Sequence, residues 1–115
     1  SPSNLNYPSF SLVFNQGAGT ATRFSATLTR TVTNVGEANS EYNVKAVAPN
    51  GVTIKVEPTT LAFSRVNEKK SYTLTCDASI LKGLSPEESH SSFGSITWSN
   101  QVHDVRSPVA FTWQN

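Results

Sequence analysis

The chain has 115 residues, the size of one domain, and its net charge of +1 comes from nine basic and eight acidic side chains scattered along it. It carries no stripe of lysine and arginine, so we expect neither a nucleic acid nor an anionic membrane as a partner. The longest unbroken apolar runs, such as residues 12–14, are three residues long, which is too short for a transmembrane helix.

Apolar and polar residues alternate along most of the chain, which predicts β-strands with one face toward a core and the other toward water. Taken in chain order after a first apolar segment at 12–14, the alternating segments are 24–28, 42–46, 52–57, 72–77, 96–99 and 109–113. Short polar or glycine-containing segments separate them, and Asn50-Gly51 favours a tight hairpin. We count seven or eight strands, a number and spacing typical of a β-sandwich or barrel that forms a single domain over residues 1–115.

The longest connection, at about 77–92, interrupts this spacing. Residues 78–84 favour one helical turn, and residues 85–90 form a polar loop. Loops on a rigid sandwich often carry recognition. We therefore name as candidates for a recognition loop four residues of this connection: Leu84, Glu87, Glu88 and His90.

Arg30 does not fit the alternation around it. Counted by twos from Phe24, it falls on the inward face, just before Val32. A buried guanidinium needs an acceptor. Two explanations stay open: a bulge or frayed end turns the side chain outward, or Arg30 lies at the end of the sandwich and faces a partner.

Four aromatic residues are candidates for either the core or an interface. Trp98 and Trp113 each end an alternating strand, and each can cover a large apolar area as a core anchor. Tryptophan is also enriched at protein interfaces, and the same ambiguity applies to Tyr7 and Phe10 near the N-terminus. Together with Arg30, these four residues are the candidate contacts with a neighbouring domain.

The chain shows little that could carry catalysis or hold a metal. None of its serines stands in a Gly-x-Ser-x-Gly motif, and the adjacent His103 and Asp104 point to opposite faces of a strand. Two lone histidines and one cysteine are too few for a zinc site, and the carboxylates of the 77–92 connection lack the further oxygen ligands that calcium needs. Cys76 shares the parity of Leu74, which predicts a buried and inert thiol. We expect no catalytic residues, no metal and no cofactor in this chain.

Eight motifs occur along the chain in a characteristic order. They are NLNYPSF at 4–10, RTVTNVG at 30–36, Tyr42 followed by a valine, APNGV at 48–52, VEPTTLAF at 56–63, KKSYTLT at 69–75, FGSITW at 93–98 and VRSPVAFTW at 105–113. With this set the chain resembles the C-terminal fibronectin type III-like domain of plant subtilisin-like serine proteases, the cucumisin-type subtilases. The resemblance covers residues 4–113 and implies a fibronectin type III-like or immunoglobulin-like antiparallel β-sandwich.

The resemblance also implies a function. In that family this domain packs on the catalytic domain and supports its folding and activity, and the proteases are secreted to the plant cell wall space (the apoplast) or reach the vacuole. The family's Gly-Thr-Ser nucleophile motif is absent, because Gly19-Thr20 is followed by Ala21. No catalytic residue is therefore carried over. The resemblance implies a structural role for Asn34, and Arg30 becomes the first candidate for a contact with the catalytic domain.

A second hypothesis is a free-standing or released extracellular module that acts as a binding partner, a signal or a protease regulator. Its binding surface would be the 77–92 connection. A domain built to dock on a larger partner should expose a contiguous apolar patch, whereas a free-standing ligand should not.

Overall fold

The computed structural model describes residues 5–6, 10–17, 23–85 and 87–115, and within these ranges it contains strands and no helix. The predicted all-β sandwich is confirmed. The strands of the described ranges are β1 (Leu5–Asn6), β2 (Phe10–Asn15), β3 (Arg23–Asn34), β4 (Ser40–Val47), β5 (Val52–Glu57), β6 (Thr60–Phe63), β7 (Lys69–Ser79), β8 (Ser89–Ser99) and β9 (Asp104–Gln114). None of this part of the chain could cross a membrane as a long apolar helix.

The strands form two sheets. One sheet has the order β1-β3-β7-β5, and the other has the order β2-β9-β8-β4-β6. Neighbouring strands are antiparallel except for β2 and β9, which run parallel from Phe10 opposite Val109 to Asn15 opposite Gln114. β1 and β2 therefore belong to different sheets.

The core lies between the inward faces of the two sheets, where the alternation predicted it. The ring of Trp98 packs 5.3 Å from the ring of Tyr72, so the two sheets meet through these side chains. Phe14 stacks on Phe24 of the facing sheet at 5.5 Å. Each fully buried large apolar side chain contributes about 1.5–3 kcal/mol. The largest fully buried side chains are Trp98, Tyr42, Tyr72, Phe63, Phe111, Leu61, Leu74, Ile96, Val32, Val109 and Asn34.

The predicted helical turn at 78–84 was wrong. β7 continues through Ser79 and β8 begins at Ser89, so the connection spans residues 80–88 and is shorter than the predicted 77–92. The reason is that Ala78 is fully buried and pairs on both sides, with Phe24 of β3 and Val52 of β5. Hydrogen bonds to two neighbouring strands outweigh a weak local helix preference.

The sandwich has two distinct ends. The 35–39, 64–68 and 100–103 loops lie together at the end where β1 begins, which we call the entry end. The opposite end holds the 48–51 and 80–88 loops together with the C-terminal residue, and we call it the exit end. Its parts are joined by hydrogen bonds, such as the one from the backbone N–H of Ser79 to the carbonyl oxygen of Gly51 (2.9 Å).

Asn34 fastens the loops of the entry end. Its Nδ2 donates to the backbone carbonyl oxygens of Glu37 (2.9 Å) and Arg65 (3.0 Å). Its Oδ1 accepts a hydrogen bond from the backbone N–H of Gly36 (3.1 Å). Its backbone forms two further hydrogen bonds with the 64–68 loop. Asn34 is therefore a buried polar residue whose side chain is satisfied by two separate loops.

Replacing this amide should destabilise the domain. We expect Asn34→Ala to lower the free energy of unfolding by about 2–3 kcal/mol, because buried carbonyl groups would lose their donor. Asn43→Ala is the matched control, since Asn43 is exposed and accepts one hydrogen bond from Thr60. The control should lose less than about 1 kcal/mol. Urea unfolding measures both, and equal losses would contradict the role assigned to Asn34.

Candidate interdomain surfaces

Three of the aromatic residues proposed as interdomain contacts are buried inside the domain. Phe10, Trp98 and Trp113 all belong to the core, and at most 3% of each is exposed. A contact between any of them and another domain stays a prediction. The Nε1 of Trp113 also donates to the backbone carbonyl oxygen of Ser79 (3.0 Å). Of the two interpretations of the tryptophans, core anchor is the one their burial supports. Tyr7 lies outside the described residues.

Arg30 lies on the inward face without a bulge. The register of β3 with β7 runs unbroken across it, so the proposed bulge was wrong. The guanidinium carbon of Arg30 lies 5.1 Å from the centre of the Phe10 ring, within cation–π range, and Nη1 donates to the carbonyl oxygen of Thr29 (3.2 Å). The half-buried side chain thus reaches across the space between the sheets to β2. A contact between Arg30 and another domain stays a prediction.

The candidate recognition loop is partly folded onto the domain. Leu84 is half-buried and packs against the core. Glu87 is exposed, and Glu88 accepts a hydrogen bond from the backbone N–H of Ser85 (3.2 Å) through Oε1. His90 belongs to β8 and not to the loop. A binding role for these residues stays a prediction.

An open hollow of about 470 Å³ lies beside this loop at the exit end. The ring of His90 is 6.1 Å from the ring of Trp113, and its Nε2 is 3.4 Å from the Oγ of Ser92. No carboxylate joins this histidine and serine among the residues that the structure describes. Within the same residues, no group of three or more His, Cys, Asp or Glu side chains could hold a metal ion. With Phe93 and Leu81 also in its lining, the hollow could accept an apolar side chain.

The outward faces of the two sheets differ in character. The outward face of the four-stranded sheet carries paired hydroxyl groups. Thr29 pairs with Thr73 (3.4 Å between the Oγ1 atoms), and Thr31 pairs with Ser71 (2.9 Å between Oγ1 and Oγ). Paired hydroxyls satisfy each other across neighbouring strands. The described part of β3, β5 and β7 exposes no large apolar side chain on this face.

The five-stranded sheet instead exposes apolar side chains toward its exit end. Phe93 is 69% exposed, Val47 is 54% exposed and Val13 is 52% exposed. The strand register places Ala110 opposite Phe93, and Ser95, the partner of Val47, lies opposite Pro108. We call Val13, Val47, Phe93, Pro108 and Ala110 the apolar strip. An exposed patch of this kind is typical of an interaction surface.

The entry end exposes one valine on each of its three loops. Val35 is 49% exposed, Val66 is 47% exposed and Val102 is 77% exposed. We call these three residues the entry-end valines. Together with the apolar strip they account for every exposed large apolar side chain in the described part of the chain.

The loops that carry the entry-end valines are held by hydrogen bonds. The Oδ1 of Asn100 accepts from the backbone N–H groups of Val102 (2.8 Å) and His103 (2.6 Å). The Oε1 of Glu68 accepts from the backbone N–H of Ser64 (2.7 Å). This hydrogen bond holds the pKa of Glu68 below its ordinary value. These contacts fix the backbones of the 64–68 and 100–103 loops.

Cys76 lies in the core on the inward face of β7, next to Leu74 along the same face, as the alternation predicted. Burial and, to a smaller extent, the negative charge of Asp77 raise the pKa of its thiol to about 11. Only the thiolate is a strong nucleophile. The Cys76 thiol is therefore unreactive while the domain stays folded.

A family model described as a fibronectin type-III domain matches residues 4–111. Similar curated proteins include Subtilisin-like protease SBT1.5 of Arabidopsis thaliana, 42% identical over 96% of this chain and 14% of that protein. Subtilisin-like protease SBT1.7 of the same plant is 46% identical over 98% of this chain and 14% of that protein. Subtilisin-like protease SBT3 of Solanum lycopersicum is 42% identical over 92% of this chain and 13% of that protein. The chain thus spans about one seventh of the length of these relatives.

Solved structures share the fold at low sequence identity. The CooA pilin subunit from enterotoxigenic Escherichia coli aligns with a TM-score of 0.63 and 14% identity, over 98% of each chain. The Vibrio cholerae VesB protease aligns with a TM-score of 0.59 and 15% identity, over 97% of this chain and 32% of that one. At such identities the likeness concerns the fold alone.

The burial of Cys76 leads to a measurable expectation. At pH 8 without urea, a thiol reagent should leave Cys76 unlabelled. In urea above the unfolding midpoint, the same reagent should label Cys76 fully. Labelling followed by mass spectrometry measures this. Asn34→Ala should label faster, because a less stable domain opens more often. Rapid labelling of the folded, unsubstituted protein would show that the Cys76 site is open.

Proposed function

This chain belongs to the family of fibronectin type-III domains, and we propose that it is a non-catalytic part of a plant subtilisin-like serine endopeptidase. In that protein it packs on the catalytic domain and stabilises it. The observation that carries the proposal is the match of more than nine tenths of this chain to about one seventh of each plant protease. The same proposal assigns the protein to the secreted route, ending in the plant cell wall space or the vacuole.

The proposal divides the work of the protease between its parts. Peptide-bond hydrolysis belongs to the remaining six sevenths of the protein, where a subtilisin-like catalytic domain would lie. The present domain contributes binding energy through exposed apolar side chains, such as the entry-end valines. A partner that binds only the folded state of another domain stabilises that state, and the effect is reciprocal. Removal of this domain should therefore lower the stability of the catalytic domain although no catalytic residue is changed.

The hollow at the exit end favours a second candidate, a free-standing extracellular module that binds another protein. The hollow is open, is lined by Phe93 and Leu81, and lies beside the 80–88 loop. In this alternative the domain is released from the protease and uses the exit end for recognition. The two candidates differ in whether the protease loses stability when the domain is removed.

A domain exchange tests the proposal. The matching segment of the Arabidopsis relative that is 46% identical is either deleted or replaced by residues 1–115 of this chain. We expect deletion to lower the amount of active secreted protease several-fold, and replacement to restore it, because domain contacts lower the unfolded fraction. A replacement that carries Asn34→Ala should restore less, since the inserted domain is itself less stable.

The readouts are hydrolysis of a peptide substrate and the half-life of activity during heating. Residues 1–115 alone should neither cleave the substrate nor bind a reagent that labels active-site serines. Full activity and heat resistance after deletion would contradict the stabilising role and favour the free-standing module. Labelling of the isolated chain by the serine reagent would contradict the non-catalytic role.

A further inference from the structure

We propose that the entry end is the face of this domain that packs on the part of the protease preceding it in the chain, and that the entry-end valines form the centre of that contact. The inference rests on the proposed function. It deepens that function by naming the face, the residues and the position of the partner.

The path of the backbone identifies the entry end. β1 pairs antiparallel with the last residues of β3, with Leu5 opposite Asn34 and Asn6 opposite Thr33. β1 therefore begins at the entry end and runs toward the exit end. The family match starts at residue 4, just before β1, so whatever precedes the domain joins it beside the 35–39 loop.

The opposite end is far from this junction. The last residue, Asn115, donates through Nδ2 to the backbone carbonyl oxygens of Leu84 and Ser85 in the 80–88 loop. β3 has 12 residues, so at about 3.4 Å per residue it spans roughly 40 Å between the exit end and the entry end. Since an extended chain covers about 3.5 Å per residue, a linker would need roughly eleven or twelve residues to carry a preceding domain to the exit end. A connection shorter than this would hold the preceding domain at the entry end.

The side chains at the entry end suit such a contact. Tight loops usually carry polar or small residues at exposed positions, yet each loop here exposes a valine: Val35, Val66 and Val102. The exposed charges of Glu37 and Arg65, which have opposite signs, lie on the same loops. An apolar centre with a charged surround is the usual composition of a protein interface.

The entry end is also ordered in advance. Asn34 ties the 35–39 loop to the 64–68 loop, and Asn100 closes the 100–103 loop. A loop that is already held in place loses little conformational entropy when a partner binds. The hydrogen bonds therefore present the three valines to a partner at a low entropic cost.

The apolar strip provides a matched alternative on the same domain. Phe93 lies six residues before the end of β8, so at about 3.4 Å per residue it is roughly 20 Å from the entry end. Val13, Val47 and Phe93 of the apolar strip are about as exposed as the entry-end valines. A partner held at the entry end by a short connection would not cover the strip, which makes the strip the natural control.

The test uses the exchanged protease described above. One variant combines Val35→Ser, Val66→Ser and Val102→Ser, and the control variant combines Val13→Ser, Val47→Ser and Phe93→Ser. Because all six side chains are already exposed, the urea midpoint of the isolated chain should change little in either variant. In the protease, the entry-end variant should shorten the half-life of activity during heating by at least about tenfold, since the contact loses its buried apolar area. The control should retain the half-life of the unsubstituted exchange.

Hydrogen exchange provides a second measurement on the same proteins. Backbone amides of the 35–39, 64–68 and 100–103 loops should exchange more slowly in the protease than in the isolated chain, and those around Phe93 should not. The inference is overturned if the control variant alone shortens the half-life, if both shorten it equally, or if neither does. If the unsubstituted exchange itself fails to restore the protease, the proposed function fails and this inference fails with it.

Discussion

The hydrogen bonds of one buried amide set the geometry of the entry end. Asn34 stands at the last position of β3, where a strand would normally pass into a loop exposed to water. Its side chain instead satisfies backbone groups from two loops, and the farther contact, with Arg65, lies 31 residues along the chain. Those loops carry two of the three entry-end valines. The positions of Val35 and Val66 therefore depend on the amide of Asn34, which is itself buried and not part of the surface.

The two sheets contribute unequally to the surface. One is covered by threonine and serine hydroxyls that bond to each other, and the other exposes Phe93 and its apolar neighbours. This asymmetry does not come from the core, because both sheets contribute buried apolar side chains to it. A sandwich needs only its inward faces to fold, so the character of the outward faces is free to serve interactions with other proteins.

The alternation of residue types was sufficient to predict the sandwich, most of its strands and the burial of Cys76, because a period of two has one structural meaning in a sheet. None of the alternating segments covers β6, and the one at 96–99 covers only the end of β8. The alternation was not sufficient at 78–84, where the strand is held by pairing with distant residues on both sides. The count by twos put Arg30 on the inward face, where it lies, but the bulge proposed to turn it outward was wrong. The ring of Phe10, against which Arg30 packs, lies in the other sheet and leaves no local signal. The entry-end valines were missed for a similar reason. They belong to three loops far apart in the chain, and only the folded register brings them to one end.

The parallel pairing of β2 with β9 has a mechanical consequence. Tension between the two termini would pull β2 toward the entry end and β9 toward the exit end, along the direction of both strands. The force would then act along the strands and load all the hydrogen bonds of this pair in shear at the same time. It would not break them one after another from one end. We expect a domain joined in this way to yield only at high stretching force, which a single-molecule pulling measurement would report.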